Sequence, residues 1–243
     1  CLNAGQRLID TVESIINQSY QNYEIVIKDG ESTDGSVEQV RSQYAEYIDR
    51  IHIYSEKDSG IYDAMNKGIS HAKGEIIGII NSDDWYASDA LENIVKTYLS
   101  CDNKEQIITG GLNRVRDGII IYKQKHHEIT LKGLKKGMPL QHPAVFVTKD
   151  VYKRIGTFDI SYPHIADYDL IWRCYADGQI KFLFVDNVVS YMREGGASDC
   201  LSWKHIKSRT IERYRLRKKY IPVTEAWVSC LRFFIKEYCF YRF

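Results

Sequence analysis

Residues 74–80 read Gly-Glu-Ile-Ile-Gly-Ile-Ile and stop abruptly at Asn81-Ser82-Asp83-Asp84. A nearly uninterrupted apolar run of this kind predicts a strand buried on both faces, as in a parallel sheet. Its surroundings alternate between helix and strand. Leu8, Val12, Ile15 and Ile16 recur at helical spacing, and residues 24–27 form a short strand ending at Lys28-Asp29-Gly30. Val37, Val40, Tyr44 and Ile48 mark a second helix, and residues 51–54 a strand. Ile61, Met65 and Ile69 mark a third helix, and Leu91, Ile94, Val95 and Tyr98 a fourth. Strand followed by helix, repeated, predicts βαβ units with right-handed crossovers. The polar clusters at 29–34 and 81–84 follow strands. Ligands of open α/β sheets sit beyond the carboxyl ends of strands, so both clusters are expected at one crevice.

From residue 106 the pattern loosens. Strands are expected at 107–109 and 119–122 around Asp117-Gly118, at 144–147, at 182–185 and at 188–191. A helix is expected after Asp167, with Leu170, Ile171 and Cys174 on one side. Residues 201–243 change character: eleven Lys/Arg against three Glu give +8, so with a whole-chain charge of +1 residues 1–200 carry −7. Residues 201–220 are helical and basic, and Pro222 separates them from a segment in which Trp227, Leu231, Phe234 and Tyr238 recur at helical spacing. Phe233, Phe240, Tyr241 and Phe243 add to its aromatic content. A basic, aromatic helix pair suits either an anionic membrane surface or packing of the aromatics on the main domain with the charges in solvent. The acidic remainder and the lack of a binding motif exclude nucleic acid as a partner.

The 243 residues are 44% hydrophobic and 27% charged, which excludes collagen, low-complexity and disulfide-miniprotein classes. No apolar run reaches the roughly 18 residues that span a bilayer, and no signal peptide is visible. Six cysteines without paired or metal-like spacing read as free thiols of a reducing compartment. The chain opens on Cys1, not methionine, which points to a natural start upstream. There is no G-x-G-x-x-G, P-loop, G-x-S-x-G or H-E-x-x-H, which argues against dehydrogenases, P-loop kinases, α/β serine hydrolases and zincins.

Several positions could carry chemistry, each with a plain structural alternative. The Asp29 carboxylate in Asp29-Gly30-Glu31-Ser32-Thr33-Asp34-Gly35 suits the N–H donors of a nucleotide base, or else belongs to a turn capped by Asp34 or Ser36. Asp83 and Asp84 repel each other unless a cation such as Mg²⁺ or Mn²⁺ intervenes, or the pair is a solvated turn beside Trp85. His142 in Gln141-His142-Pro143-Ala144 is a ligand, a base or a structural histidine. Asp167 opens a helix, as a functional carboxylate or one favoured by the helix dipole.

These residues, in this order, resemble family 2 glycosyltransferases. The resemblance runs from Asn3 through Gln18-Ser19-Tyr20, residues 23–30 and Ser32-Thr33-Asp34-Gly35. It continues through residues 56–68 (Glu-Lys-Asp-Ser-Gly-Ile-Tyr-Asp-Ala-Met-Asn-Lys-Gly), Ala72-Lys73-Gly74-Glu75 and Asn81-Ser82-Asp83-Asp84-Trp85. It ends with Gly156-Thr157-Phe158-Asp159 and Ala166-Asp167-Tyr168-Asp169-Leu170, covering about residues 3–196.

The resemblance implies a GT-A (Rossmann-like) α/β fold with a mixed, mostly parallel sheet flanked by helices. The implied division is a glycosyltransferase domain over 1–200, with a nucleotide-sugar half at about 1–105 and an acceptor half at about 106–200. Residues 201–243 form a helical appendage. The implied reaction moves a hexosyl or N-acetylhexosaminyl group from a nucleotide diphosphate donor, most often a uridine one, to an acceptor hydroxyl with inversion. The implied setting is cell-surface polysaccharide or glycolipid synthesis, cytoplasmic or on the cytoplasmic membrane face, with a saccharide or lipid-linked saccharide acceptor.

By the same resemblance Asp29 would bind the base, with Asn3 and Gly30 beside it, and Asp58 and Asn66 would line the nucleotide pocket. Asp83 would hold a divalent cation (Mn²⁺ or Mg²⁺) on the diphosphate, flanked by Asn81 and Asp84. Asp167 would be the catalytic base and His142 would lie near the acceptor or metal. The sequence departs from the family at Asn81, where the first acid of D-x-D stands, at Ala166 before the base, and at Leu2, where an aromatic often stacks on the base. A strand ahead of Cys1 is also implied. A non-catalytic nucleotide-sugar-binding or assembly protein is the competing class, and a nucleotidyltransferase a third, for which no glycine- and arginine-rich triphosphate loop is found.

Overall fold

In the chain's computed structural model, residues 1–124, 128–195 and 202–242 are described. Cys200, Phe243 and the side chains of Phe240 and Tyr241 lie outside the described residues. Strand β1 (Ile25–Asp29) runs parallel to β2 (Ile51–Ser55), joined by helix α2 (Ser36–Gln43). Helix α1 (Gln6–Ile16) buries Leu8, Ile9 and Val12 against Ile25, Ile27, Val40 and Ile51, which forms one small core. The second helix is shorter than its periodicity predicts. The chain leaves the helical conformation at Tyr44, whose ring is buried, and Ile48 is exposed.

Helix α3 (Ile61–His71) leads to β3 (Ile76–Gly78), then come β4 (Trp85–Tyr86) and α4 (Ala90–Leu99). The expected seven-residue buried strand is three residues long here. It pairs antiparallel with β7 (Val145–Thr148), not within a parallel set. At Gly78 a Cβ would lie 2.4 Å from the Phe146 ring and 2.8 Å from the Tyr86 hydroxyl, so only glycine allows this approach. Tandem β5 (Gln106–Arg116) and β6 (Ile119–Gln124) form the expected hairpin. Asp117 (φ 49°) and Gly118 (φ 78°) supply the two left-handed residues that a tight hairpin turn requires.

After α5 (Leu131–Lys136), β7, α6 (Lys149–Ile155) and α7 (Ala166–Asp177) comes β8 (Lys181–Arg193). The two strands expected at 182–185 and 188–191 are this single strand, irregular where it passes Gly110 and Gly111 of β5. The six-stranded sheet runs β3-β7-β5-β8-β4, with β6 also on β5. Among the described residues only the β1–β2 and β5–β8 pairings are parallel, so the mixture is richer in antiparallel pairs than the strand–helix alternation suggests.

The tail folds as α8 (Trp203–Arg217) against α9 (Val223–Arg242). Leu216, Ile221 and Ala226 enter the same core as Tyr168, Ile171 and Trp172 of α7. The charges do not simply face solvent: Arg213 and Arg217 are buried, while Trp227, Leu231 and Ile235 are exposed. No described helix is long and apolar enough to cross a membrane. Among the described residues the cysteines are all free thiols.

Candidate active site

The carboxyl end of β1 carries the first cluster. Asp29 is buried and accepts hydrogen bonds from the Ser32 amide (3.1 Å) and hydroxyl (2.5 Å). Burial alone would raise its pKa. Hydrogen bonds from Ser32 and Ser55 and the nearby amino terminus outweigh that and leave it below the ordinary value. Lys28, also buried, donates to the Asp29 carbonyl (2.7 Å) and the Glu56 carbonyl (2.5 Å), and lies 3.4 Å from the Asp58 carboxylate. Asp58 also accepts from the Gly60 amide (3.1 Å). The Asn3 side chain accepts from the Thr33 amide (2.8 Å). Gly30 packs so closely that a Cβ would lie 3.2 Å from Asp58 and 3.4 Å from the Cys1 carbonyl. Asn3, Asp29, Gly30 and Asp58 therefore share one place. Asn66 is turned elsewhere. Its amide donates to the Phe158 carbonyl (2.8 Å) and accepts from the Phe158 amide (2.9 Å), which ties α3 to the turn before α7.

The second cluster follows β3. The Thr11 hydroxyl of α1 donates to the Asp84 carbonyl (2.7 Å) and holds the 81–84 turn. Asp84 is buried, with Oδ1 accepting from the Arg193 amide (3.0 Å) and Oδ2 without a partner. Burial, then the charge of Asp83, raises its pKa to about 7. Asp83 is half-buried, and no ion pair or hydrogen bond engages its carboxylate among the described residues. Arg193, at the end of β8, bonds the Asp83 carbonyl (3.4 Å) and reaches Asp10 (3.3 Å), with its guanidinium over the Trp85 ring.

The third cluster lines a cavity of about 1450 Å³, which holds Asn81, His142, Asp167 and Tyr62 together. Asp29, Asp58 and Asp83 are outside its lining. Asp167 stands in the first turn of α7, with Ile165 as the N-cap residue. Its Oδ1 accepts from the Tyr62 hydroxyl (2.9 Å) and the Tyr168 amide (2.8 Å), while no hydrogen bond engages Oδ2 among the described residues. Burial and the charge of Asp167 raise the Tyr62 pKa far above its ordinary value, so the phenol stays a donor. His142 has its pKa lowered by burial, which the Asp167 charge only partly offsets. Its imidazole is neutral near pH 7, with Nε2 covered and unpartnered.

The family model described as "Glycosyl transferase family 2" matches residues 1–154. The chain belongs to glycosyl transferase family 2. An "uncharacterized glycosyltransferase" of Rickettsia felis is 28% identical over 194 residues, 74% of this chain and 31% of that protein. The chain thus spans about a third of the length of that curated relative. A "PGL/p-HBAD biosynthesis glycosyltransferase" of Mycobacterium bovis is 25% identical over 214 residues, 86% of this chain and 80% of that protein. Among solved structures, S. aureus TarS residues 1–349 superpose with a TM-score of 0.66 at 15% identity, over 98% of this chain and 69% of TarS 1–349. The mannosyltransferase PcManGT from Pyrobaculum calidifontis, in complex with GDP-Man and Mn²⁺, superposes with a TM-score of 0.65 at 17% identity, over 98% of this chain and 71% of that one. The architecture is the GT-A fold that the resemblance implied.

In this family 2 chain, Tyr62, Lys28 and Arg193 contact the candidate site residues and were not singled out by the sequence. Tyr62 lay inside a quoted motif, but nothing local marks its reach to Asp167, 105 positions away. Arg193 is about as far from the turn it braces. Among the described residues no group of three or more His, Cys, Asp or Glu is placed to hold a metal. The donors at 81–84 are nonetheless all oxygen, and adjacent carboxylates, one with an orphaned oxygen, fit a hard divalent cation whose shell a ligand's phosphates complete.

A carboxyl whose pKa is raised on folding destabilises the fold as pH climbs past its ordinary value. Below the ordinary value of 3.8 both states are protonated and the penalty is absent. It grows as pH rises and is complete above about 7. With a chelator present, Asp84→Asn is expected to stabilise the chain by about 2–4 kcal/mol at pH 8, with the gain shrinking towards pH 4. Urea unfolding of both proteins across this range checks it; a gain independent of pH contradicts the buried-carboxyl account.

Proposed function

We propose that this chain transfers a sugar from a nucleotide diphosphate donor, a uridine one, to an acceptor hydroxyl. The observation that carries the reading is Asp167: one carboxylate oxygen is anchored by Tyr62 and Tyr168, and the other is left open beside a large cavity. A carboxylate held this way accepts the proton of an incoming hydroxyl as its oxygen attacks the anomeric carbon. The new C–O bond forms on the face opposite the diphosphate, whose C–O bond breaks, so the anomeric centre inverts. His142, kept neutral by burial, shapes the acceptor side without adding a competing charge. Asp29, Gly30, Asn3 and Asp58 form the proposed base and ribose end of the donor site. Asn66 acts on that site indirectly, by bracing α3.

Asp83, with Asn81 and Asp84 beside it, would hold a divalent cation that stabilises charge on the leaving diphosphate. Arg193 fixes the turn from behind. The relatives support the donor class, since TarS is known in complex with UDP-GlcNAc and PcManGT with GDP-Man and Mn²⁺. The proposed setting is cell-surface polysaccharide or glycolipid synthesis on the cytoplasmic side, and the mycobacterial relative's name, a PGL/p-HBAD biosynthesis glycosyltransferase, supports a biosynthetic role. Exposed Trp227, Leu231 and Ile235 on the basic tail support contact with an anionic membrane surface.

Asn81 and Ala166 favour one other reading, a nucleotide-sugar-binding protein without turnover. A thermal-shift panel of UDP-, GDP- and TDP-sugars, with and without Mn²⁺, followed by hydrolysis assays, tests both. UDP-sugars are expected to raise the melting temperature most, and more with Mn²⁺, with slow hydrolysis of the best binder. Binding without hydrolysis or transfer favours the second reading, and no shift with any nucleotide defeats both.

A further inference from the structure

Beyond Asp167 the cavity runs between α5, α8 and α9, and this inner part is basic. The whole lining holds seven Lys or Arg against three Asp or Glu. Lys135 pairs with Glu225 and Arg209 with Glu237, but Lys132, Lys136, Arg232 and Lys236 have no ion pair among the described residues.

At the centre lies Arg213. It is 8% exposed, its Nε is buried without a partner, and no hydrogen bond or carboxylate engages its guanidinium among the described residues. The guanidinium is sandwiched between aromatic rings, 4.0 Å from the Phe233 centroid and 5.3 Å from that of Tyr168. Arg209 and Arg217 stand one turn away on either side of the same helix and add positive charge, which the more distant Asp167 offsets only in part. Burial, with those two arginines adding to it, lowers its pKa to about 10, still charged at neutral pH. A buried cation with no counter-ion is costly to fold, and a guanidinium fork is matched to the paired oxygens of an oxyanion. Tyr168, on which it stacks, is the residue next to Asp167.

We infer that Arg213 is the centre of an oxyanion subsite and that the acceptor is a phosphate ester, its phosphate on Arg213 and its hydroxyl at Asp167. This rests on the reading of Asp167 as the acceptor-side base. A phosphate is favoured over a carboxylate because several unpaired cations line the same cavity as the one fork and suit a group of more than one charge. The acceptor is favoured over the donor because the turn where a donor diphosphate fits reaches this cavity only through Asn81, with Asp83 and Asp84 outside its lining. Lipid-borne and soluble phosphate esters present the same chemistry to Arg213.

The test titrates the full chain with glycerol phosphate and with dodecyl phosphate, against glycerol, dodecyl maltoside and glucuronate, with and without saturating UDP. Both phosphate esters are expected to bind and to raise the melting temperature, with UDP leaving their affinity unchanged. Preference for dodecyl phosphate assigns the phosphate to a lipid, and equal affinity to a soluble ester. Arg213→Met is expected to weaken binding at least tenfold while the unliganded melting temperature holds or rises, since an unpaired buried charge is removed. Arg213→Lys, which keeps the charge but not the fork, is expected to fall between and serves if the methionine variant folds poorly. Wild-type affinity in both variants, equal binding of glucuronate, or displacement by UDP would overturn the inference. Asp167→Asn is expected to bind the esters normally, and a wild-type chain that binds them through Arg213 yet transfers no sugar disproves the catalytic reading and leaves the subsite standing.

Discussion

Asp167→Asn is expected to lower sugar transfer by about 10²–10⁴-fold or more while donor binding stays within about twofold of the wild type. The substitution changes little besides the basicity of one group. Asn keeps an oxygen for the Tyr62 hydroxyl and the Tyr168 amide, so the start of α7 and the cavity wall are expected to hold their shape. It removes the open oxygen's capacity to take a proton. Tyr62 cannot replace it, because burial, the largest cause of its raised pKa, persists in the variant and keeps the phenol protonated at neutral pH. Arg213 also responds to the Asp167 charge but stays protonated, and burial lowers the His142 pKa, which makes that imidazole a weak proton acceptor. Single-turnover transfer assays with calorimetric donor binding check the split. Transfer at the wild-type rate would show that the base lies elsewhere.

The largest stability effect is expected at Trp172. Its side chain is 1% exposed in the middle of α7, and its ring stacks on Tyr220, 4.9 Å between centroids and 12° from parallel. Tyr220 follows α8, so this contact fastens the tail to the domain. Trp172→Ala leaves a large cavity that close-packed neighbours fill only in part, and we expect a loss of about 3–5 kcal/mol. Because Leu216, Ile221 and Ala226 share the same core, the tail is expected to loosen with it. Denaturant unfolding gives the loss, and hydrogen exchange on α8 and α9 gives its location. Unchanged protection of the tail would mean that its docking does not depend on α7.

Local pattern was enough to place most elements. The helices at α1, α3, α4, α7, α8 and α9 follow from apolar spacing. The β5–β6 turn follows from Asp117-Gly118, where both residues adopt positive φ. The pattern was less able to set strand length and direction. Residues 74–80 are apolar apart from Glu75, yet only Ile76–Gly78 is paired, because the partner strand β7 is four residues long and antiparallel. Likewise 182–185 and 188–191 read as two strands because residues 186 and 187, Asp and Asn, interrupt the apolar run. The ladder with β5 continues past them through an irregularity.

What the sequence determined alone was the family and the GT-A class, since motif order and strand-end polarity are properties of neighbouring residues. What only tertiary structure decided was how those groups are engaged. Asn66 faces a turn 92 positions away, Asp167 is aimed by Tyr62, and the 81–84 turn is braced by Arg193. The basic tail, uniform as a string of charges, divides into solvated lysines and a buried, unpartnered Arg213. Charge and hydropathy belong to single residues. Burial and pairing depend on which distant segments fold over them, and no short window of sequence contains that information.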